Sequence, residues 1–356
     1  MLLIIGIVLS IISLFLYKNK ILYLIWFLFY FVLFGFNNFN PDYSTYSNIY
    51  KLVRLGVYDG KLADSGYMFL MSVAHSFNLS FEQFYICFAI VSVIMLFIVI
   101  YKFSNYRNLV CIPILLYPFT ISVVQMRFFL ASLIVLIGII FLEKDKKYSN
   151  FIFLGTLIIA STIHFSSILY SVYFLANLKS FKKIYFSLLL GLLSIIVFYQ
   201  GITIINFTPL LDAINKYFLS SLEFKGIVFV SRVIFFRLGI VSGIHILIKY
   251  FKHNFSEKDI YLAKIINITM IVTMFFEFIN SEFERFSRIG FILLYILIFN
   301  VCIKMKLIGN RVAVIGLFSI FIFLYVGFQY FFRSSNGVLF YEAVFKDIFE
   351  HNSLVN

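Results

Sequence analysis

The stretch that decides the fold is 109-LVCIPILLYPFTISVVQMRFFLASLIVLIGIIFL-142, two apolar runs that only Gln125, Met126 and Arg127 separate. A helix that spans a bilayer needs ~20 mainly apolar residues, so each run predicts a membrane helix. Arg127 then lies between two membrane-buried segments, where a charge costs at least ~2.5–3.5 kcal/mol. Because stability alone does not favour a charge there, we interpret Arg127 as a functional residue.

Composition places the whole chain in a membrane. The 356 residues are 62% hydrophobic and 13% charged, with 49 Phe and 24 Tyr, whereas soluble domains are ~25% charged. Long unbroken apolar runs favour helices over a barrel, whose strands alternate over ~10 residues. We therefore predict an all-α polytopic integral membrane protein with a single transmembrane domain over residues 1–356.

Eleven apolar segments are candidate membrane helices: residues 2–17, 21–36, 81–103, 109–124, 128–142, 151–176, 185–199, 229–250, 260–279, 286–303 and 312–331. One of them, 151–176, has basic loops on both sides, so a single crossing would break the alternation of sides. We predict that it is a short helical hairpin that turns near His164, which brings the total to about 11–12 transmembrane helices. The tip of this hairpin would approach the side on which Arg127 lies.

The net charge of +13 indicates loop sidedness rather than nucleic-acid binding, because Lys and Arg collect in cytoplasmic loops. Basic connectors fall at residues 18–20, 102–107, 144–147, 179–183, 249–264 and 304–311. The connectors between them are then external, as are both termini: residues 37–67, 125–127, 200–228, 280–285 and the tail from 333. Of these, 37–67 is predicted to be an amphipathic external loop and 200–228 a second external loop.

Tyrosines in the first external loop share one helix face. Tyr43, Tyr46 and Tyr50 follow the three- and four-residue spacing of such a face. One interpretation is an amphipathic helix that lies at the membrane interface. The other is a sugar-binding platform, because aromatic faces stack on pyranose rings and phenols hydrogen-bond hydroxyl groups. Tyr67, at the end of the loop, and Gln125, in the next external turn, are further candidates for sugar binding.

Arginines are concentrated in the predicted external half, and the candidates are Arg127, Arg232, Arg237, Arg285 and Arg288. Guanidinium forks bind phosphate oxygens in a bidentate way, so these residues indicate a lipid-linked phosphate or pyrophosphate. Two alternatives remain open. Arg127 could extend to the outer interface, and Glu282 and Glu284 could form ion pairs with Arg285 and Arg288.

Four motifs occur in a fixed order along residues 35–180: Asp42-Tyr43-x-x-Tyr46-x-x-x-Tyr50, Asp64-x-Gly66-Tyr67-x-x-Leu70, Pro118-Phe119 leading to Gln125-x-Arg127-x-x-x-Ala131, and Ile163-His164-Phe165-Ser166. A late Arg285-x-x-Arg288 precedes another apolar run. In this order and spacing the chain resembles the EpsG-like branch of the Wzy-type polysaccharide polymerases. The family segment reads Ile-Arg-Gln where this chain has Met126-Arg127-Phe128, so any role of the glutamine moves to Gln125.

The resemblance implies a multi-pass enzyme of the bacterial inner (plasma) membrane with its active site towards the periplasm or exterior. Such an enzyme transfers a growing glycan on undecaprenyl pyrophosphate onto a lipid-linked repeat unit, for O-antigen, capsule or exopolysaccharide. The expected partners are the lipid-linked oligosaccharide and membrane lipid, with a chain-length regulator as a further candidate and no nucleic acid. The sequence has no DxD motif and no His/Cys cluster, so we expect no cofactor and no metal.

Roles follow from this implied reaction. Arg127 would hold the pyrophosphate together with Arg285 and Arg288, and His164 would take the proton of the attacking hydroxyl. Asp42 and Glu282 are the alternative bases. Two other functions remain open: a flippase, which should show two repeated halves that this sequence lacks, and a ligase, which uses the same chemistry as the polymerase.

Overall fold

The computed structural model describes residues 1–38, 40–56, 64–143, 147–205, 227–331, 334–335, 338–339, 341–350 and 352–354. Almost all of this described chain is helical. The one strand pair within it joins β1 (Ser334–Ser335) and β2 (Val338–Leu339), which run antiparallel. The prediction of an all-α polytopic membrane protein is confirmed.

The α-helices are α1 (Leu2–Phe15), α2 (Lys20–Gly35), α3 (Tyr43–Arg54), α4 (Ser65–Ser76), α5 (Phe81–Phe103), α6 (Arg107–Ile114), α7 (Thr120–Val124), α8 (Met126–Leu142), α9 (Ser149–Ile163), α10 (Phe181–Ile205), α11 (Ile227–Phe251), α12 (Glu257–Ile279), α13 (Ser287–Cys302), α14 (Ile308–Phe331) and α15 (Asp347–Glu350). Segments of other helix types join them: π-helical Leu115–Phe119 and Tyr341–Lys346, and 3-10 helical Phe165–Asn177, Lys252–Asn254 and Ser281–Phe286.

Six helical segments of the described chain are long and apolar enough to cross a membrane: Phe81–Phe103, Arg107–Val124, Phe229–Asn254, Glu257–Ile279, Ser281–Cys302 and Ile308–Phe331. Four shorter apolar helices, α1, α2, α8 and α9, have 14, 16, 17 and 15 residues. A helix therefore lies at each of the apolar segments that the sequence singled out. The total of 11–12 crossings stays a prediction.

The chain divides into two compact units, residues 1–171 with 295–356, and residues 172–294. In the first unit, α5 packs against α2 and α8, and α8 packs along α9. In the second unit, α11 packs against α12. Arg127 and His164 belong to the first unit, and the other four candidate arginines belong to the second. The single transmembrane domain stays a prediction.

A kink precedes the Gln125–Arg127 turn. Pro113 and Pro118 lack a backbone N–H, and Tyr117 between them has extended torsion angles (φ −160°, ψ 132°). Prolines are a common cause of such kinks in helices. The Tyr117 hydroxyl reaches the Tyr325 hydroxyl at 3.2 Å, so the polar group at the kink has a partner inside the first unit.

The hairpin predicted at His164 is confirmed. Helix α9 ends at Ile163, and His164 has extended backbone (φ −150°, ψ 107°) before the 3-10 segment begins. Along α8, Thr156 packs against Gly138, His164 reaches Phe128, and Tyr170 returns to Ser132 (Oγ to hydroxyl, 3.3 Å). The order of these partners shows that the chain reverses at His164. The returning leg has 13 residues, which rise ~26 Å as a 3-10 helix.

The first predicted external loop, residues 37–67, contains helix α3, and α4 begins inside its predicted end. The sequence pattern predicts Asn40 as the N-cap and Pro41 as the first helical residue, and this is wrong: Asp42 is the N-cap of α3. The Asn40 side chain instead donates a hydrogen bond to the Tyr85 hydroxyl (3.2 Å). Asn40 therefore joins the loop to α5 rather than starting the helix.

The second predicted external loop, residues 200–228, stays a prediction. Helix α10 continues to Ile205, and α11 begins at Ile227. Residues 206–226 lie outside the described residues.

The C-terminal tail packs on the end of α2. The backbone N–H of Ser353 donates to the carbonyl of Phe36 (2.9 Å), and the Asn352 side chain donates to the carbonyl of Val32 (2.9 Å). The tail and the loop after α2 therefore lie on one side of the first unit, as the charge pattern predicts.

Cysteine labelling tests the hairpin in a Cys87→Ser background, since Cys87 is the exposed cysteine. Phe165→Cys, at the tip and 68% exposed, should react with a membrane-impermeant maleimide added outside, because the tip reaches the aqueous face. Ile158→Cys, 57% exposed on the side of α9, is the matched control and should stay unlabelled because lipid covers it. Equal shielding of both cysteines would contradict a hairpin that turns at the outer face.

Candidate functional site

The first candidate site is built on the start of α8. The helix begins at Met126, and the Phe129 N–H bonds to the Gln125 carbonyl (3.0 Å). The amides of the first helical residues before Phe129 have no partner within the helix, and this helix end carries a partial positive charge. Arg127 adds a full positive charge at the same place, so the start of α8 favours an anion.

Two tyrosine rings hold the Arg127 guanidinium. Its Cζ lies 5.5 Å from the ring centroid of Tyr46 and 5.4 Å from that of Tyr67, within the ~6 Å range of cation–π attraction. Both rings are buried. Nε of Arg127 is buried too, and no group in the described chain accepts a hydrogen bond from it. The rings thus fix the side chain, and its remaining hydrogen-bond capacity suits ligand oxygens.

Asp64 connects Arg127 to the hairpin tip, although the sequence did not single it out as a site residue. It is the N-cap of α4, its carboxylate accepts a hydrogen bond from the Phe165 amide, and it interacts electrostatically with Arg127. Partial burial raises the pKa of the Asp64 carboxyl, and the Phe165 amide and the Arg127 charge oppose that rise. The sequence feature that could have pointed to Asp64 is its position two residues before Gly66 in the second motif.

His164 lies beside this group. Its Nδ1 is hydrogen-bonded to the Ser166 hydroxyl (2.6 Å), and its ring meets Phe128 edge-on with the centroids 5.2 Å apart. Phe128 directly follows Arg127 in the sequence. Phe165, whose amide donates a hydrogen bond to Asp64, directly follows His164. The fold therefore brings Arg127 and His164, 37 residues apart in the sequence, to one end of α8.

Gly66 allows α4 to approach the hairpin. A Cβ at Gly66 would lie 2.8 Å from the Thr162 Cβ and 2.9 Å from the Thr162 carbonyl carbon, which is closer than packed atoms tolerate. Gly66 lies inside the first turn of α4. Its role is close packing of α4 against α9.

Tyr43 and Tyr50 belong to the same helix face as Tyr46 but pack away from Arg127. The Tyr43 ring lies against Phe81 and Tyr85 of α5. The Tyr50 ring stacks beside His75 and Phe84, and its hydroxyl donates to the Leu79 carbonyl (2.8 Å). This tyrosine face is therefore mostly an inner surface of the unit, and Tyr46 and Tyr67 are the members next to Arg127.

Two further predicted site residues, Asp42 and Gln125, lie close in the sequence to members of the group. Asp42 is half-buried at the start of α3, and Gln125 occupies the break between α7 and α8 (φ −97°, ψ 58°). Gln125 lies two residues before Arg127 in the sequence, and Asp42 lies about one helical turn before Tyr46.

A second cluster of charges lies in the unit formed by residues 172–294. Arg237, 2% exposed, donates from Nη2 to Oε2 of Glu277 at 3.0 Å and from Nε at 3.3 Å. Nη2 of Arg232 lies 3.7 Å from Oε1 of the same carboxylate. Two guanidinium groups thus share one carboxylate. Glu277 is the anionic partner that compensates the buried charge of Arg237.

The ion pairs that the sequence offered as an alternative are present. Arg285 pairs with Glu282, and it also donates from Nε to the Glu282 carbonyl (2.8 Å). Nη2 of Arg288 lies 3.8 Å from Oε2 of Glu284, and both side chains are buried. Glu282, a candidate base, is therefore paired with a guanidinium.

A sequence model of the EpsG family matches residues 20–343. The chain belongs to the EpsG family. The match extends well beyond the motif-bearing residues 35–180 and includes both charge clusters. Comparison with curated proteins and with solved structures gave no match. The EpsG family is associated with membrane glycosyltransferase-type polymerases in polysaccharide biosynthesis.

In this EpsG-family chain the two clusters differ in kind. The arginines of the second unit each form an ion pair with a carboxylate, whereas Arg127 lies against two tyrosine rings and interacts electrostatically with Asp64. Across the described residues, no group of three or more His, Cys, Asp or Glu side chains is placed to hold a metal ion. The Arg127 site is thus the better candidate for an anionic ligand.

Removing Arg237 should destabilise the protein strongly. Arg237→Gln leaves Glu277 buried without its main partner, and breaking such a pair costs ~3–5 kcal/mol. Arg285→Gln is the matched control: its partner Glu282 is 55% exposed, and exposed pairs contribute ~0–1 kcal/mol. Thermal unfolding of the two purified variants in one detergent measures the difference. Equal melting temperatures would show that Glu277 is not held by Arg237.

Proposed function

We propose that this EpsG-family protein is a polysaccharide polymerase at the outer face of the bacterial inner (plasma) membrane. It transfers a growing glycan from undecaprenyl pyrophosphate to a lipid-linked repeat unit, as a metal-independent glycosyltransferase. Its partners are two lipid-linked oligosaccharides, with a chain-length regulator as a further candidate. The observation that carries the proposal is the group of Arg127, Asp64 and His164 at the start of α8 in a chain of this family.

The donor pyrophosphate is assigned to Arg127. The start of α8 supplies amide donors and a partial positive charge, and the guanidinium adds a bidentate donor for phosphate oxygens. When the glycosidic bond to the lipid breaks, negative charge grows on the leaving pyrophosphate. Donors that are already in place stabilise this charge without reorganisation, which is the role that a divalent cation has in many glycosyltransferases.

The acceptor hydroxyl is assigned to the His164 side of the group. Its oxygen forms the new bond to the anomeric carbon, the bond from that carbon to the pyrophosphate oxygen breaks, and the hydroxyl proton goes to the imidazole. The hydrogen bond between Ser166 and Nδ1 orients the imidazole ring. Asp64 acts as a positioning residue, because it holds the tip amide at Phe165 and faces Arg127. Asp42 and Glu282, which is paired with Arg285, remain the alternative bases.

Sugar recognition is assigned to tyrosines. Tyr46 and Tyr67 line the guanidinium, and their rings offer faces and hydroxyls of the kind that bind pyranose rings. Gln125 borders the same place. Tyr43 and Tyr50 support this surface from behind through α5. We also assign a role in pyrophosphate binding to Arg232, Arg237, Arg285 and Arg288, and Arg232 is best suited to it because it shares Glu277 with Arg237.

Glycan banding of a deletion strain tests the function. Loss of the gene should leave single repeat units on lipid, and the wild-type chain should restore polymer. Arg127→Ala should not restore it although the protein inserts normally, and Arg127→Lys should restore little, because an ammonium cannot bind pyrophosphate as a fork.

Other banding patterns identify other functions. Intact polymer that stays on lipid in the deletion strain would indicate a ligase, and repeat units confined to the cytoplasm would indicate a flippase. Full activity of Arg127→Lys would show that Arg127 only anchors α8 at the interface.

Polymerisation rates of purified variants test the base. His164→Ala should lose ~10²- to 10⁴-fold in rate, the usual contribution of a general base. His75→Gln is the control, since His75 contacts the Tyr50 carbonyl (3.0 Å) away from Arg127, and it should retain the rate. Asp64→Asn keeps an oxygen for the Phe165 amide but loses the charge, so it should lower the rate less than Asp64→Ala. A normal rate for His164→Ala would indicate that Asp64 or Asp42, and not His164, is the general base.

A further inference from the structure

An apolar groove of about 380 Å³ runs along the first unit between α4, α5 and α8. On α5 its wall is a stripe with helical spacing, from Phe84 through Phe88 and Val91 to Met95. That stripe covers a rise of roughly 16 Å. The groove is open on its outer side, where Val91 is 47% exposed and Cys87 is also exposed. In a membrane this opening faces lipid chains.

One end of this groove is the candidate site. On α8, Leu130 and Ile134 line the groove and follow Arg127 by three and seven residues, so all three lie on one helix face. Ile163 lines the groove as well and directly precedes His164. The buried ring of Tyr67 packs against Phe84 and Phe88 with centroids 6.0 and 5.9 Å apart. Residues that adjoin the cationic group in the sequence or pack against it therefore also line the apolar groove.

We propose that this groove binds the polyprenyl tail of a lipid-linked glycan, with its phosphates at Arg127. The assignment rests on the proposed function and adds the place where the lipid lies. The charge fits, because an anionic head on a single long hydrocarbon chain matches a cationic end on a long apolar groove. The lateral opening fits as well, because a substrate confined to the bilayer enters from the side. Val91 and Cys87 would then contact the chain directly.

Cys87 reports occupancy without any turnover. In purified wild-type protein in nanodiscs, N-ethylmaleimide should react at Cys87, because Cys111 and Cys302 are buried. Undecaprenyl phosphate at about ten times its Kd should slow this labelling about tenfold, since the free protein alone reacts. Arg127→Ala should weaken the protection, because the phosphate loses its partner. Cys87→Ser supplies the background rate.

Phosphatidylglycerol separates the proposal from ordinary lipid binding. It has a phosphate but two acyl chains, and it should not slow the reaction at the same concentration. Equal protection by phosphatidylglycerol would show that the groove holds bulk lipid, and the absence of protection by undecaprenyl phosphate would show that the tail lies elsewhere. Either result overturns the proposal.

A bulky residue in the groove tests the link to polymer formation. Val91→Trp should lower polymer yield about tenfold or more, since the added ring fills the space of the chain. Ile94→Trp is matched in helix and exposure, 42% against 47%. Ile94 lines a different surface, with Phe27 and Phe97, so this variant should leave the yield unchanged. Normal polymer from Val91→Trp would overturn the groove assignment while the polymerase function stands. The opposite outcome is also distinguishable. If undecaprenyl phosphate protects Cys87 but deletion of the gene leaves polymer intact, the polymerase function is overturned and the lipid site stands.

Discussion

A charge inside a bilayer must be compensated, and this constraint governs the structure around every candidate arginine. The penalty is at least ~2.5–3.5 kcal/mol for one uncompensated arginine. Arg237 meets it with the carboxylate of Glu277 at 3.0 Å, and Arg288 meets it with Glu284 at 3.8 Å. Arg127 meets it differently, with two tyrosine rings and a nearby carboxylate at a helix end. The second arrangement leaves more of the guanidinium for a ligand.

Compensation by rings has a functional consequence. A carboxylate paired directly with a guanidinium competes with phosphate for the same donors, whereas a ring face attracts the cation without using its N–H groups. Tyr46 and Tyr67 can therefore hold Arg127 in the apo protein and keep it ready for pyrophosphate. Preorganised donors of this kind contribute most to stabilising charge that develops during a reaction. The paired arginines of the second unit suit a supporting or structural role unless a ligand replaces their carboxylates.

Close helix packing places these groups. Lipid chains are as apolar as the helix surfaces, so helices in a membrane associate through small residues and polar contacts rather than through hydrophobic burial. Gly66 brings α4 onto Thr162, and Gly138 brings α8 onto Thr156 and Phe153. These contacts fix the hairpin against α8 and thereby set His164 beside Phe128. A larger residue at Gly66 would move the hairpin tip, and with it the Phe165 amide that Asp64 binds.

The sequence by itself determined the membrane class, the helical segments and the break at His164, because hydropathy, charge alternation and helix length are local properties. It also predicted the pairs Glu282–Arg285 and Glu284–Arg288, since spacing within one helix predicts neighbours, and it singled out Arg127 and His164 as candidates. Only the tertiary structure showed that Asp64 connects Arg127 to the hairpin tip, that Arg237 pairs with Glu277, and that Tyr50 packs inward. These contacts join residues 40 to 100 positions apart or depend on which face a helix presents. No local pattern encodes them, because helix packing decides which distant side chains meet.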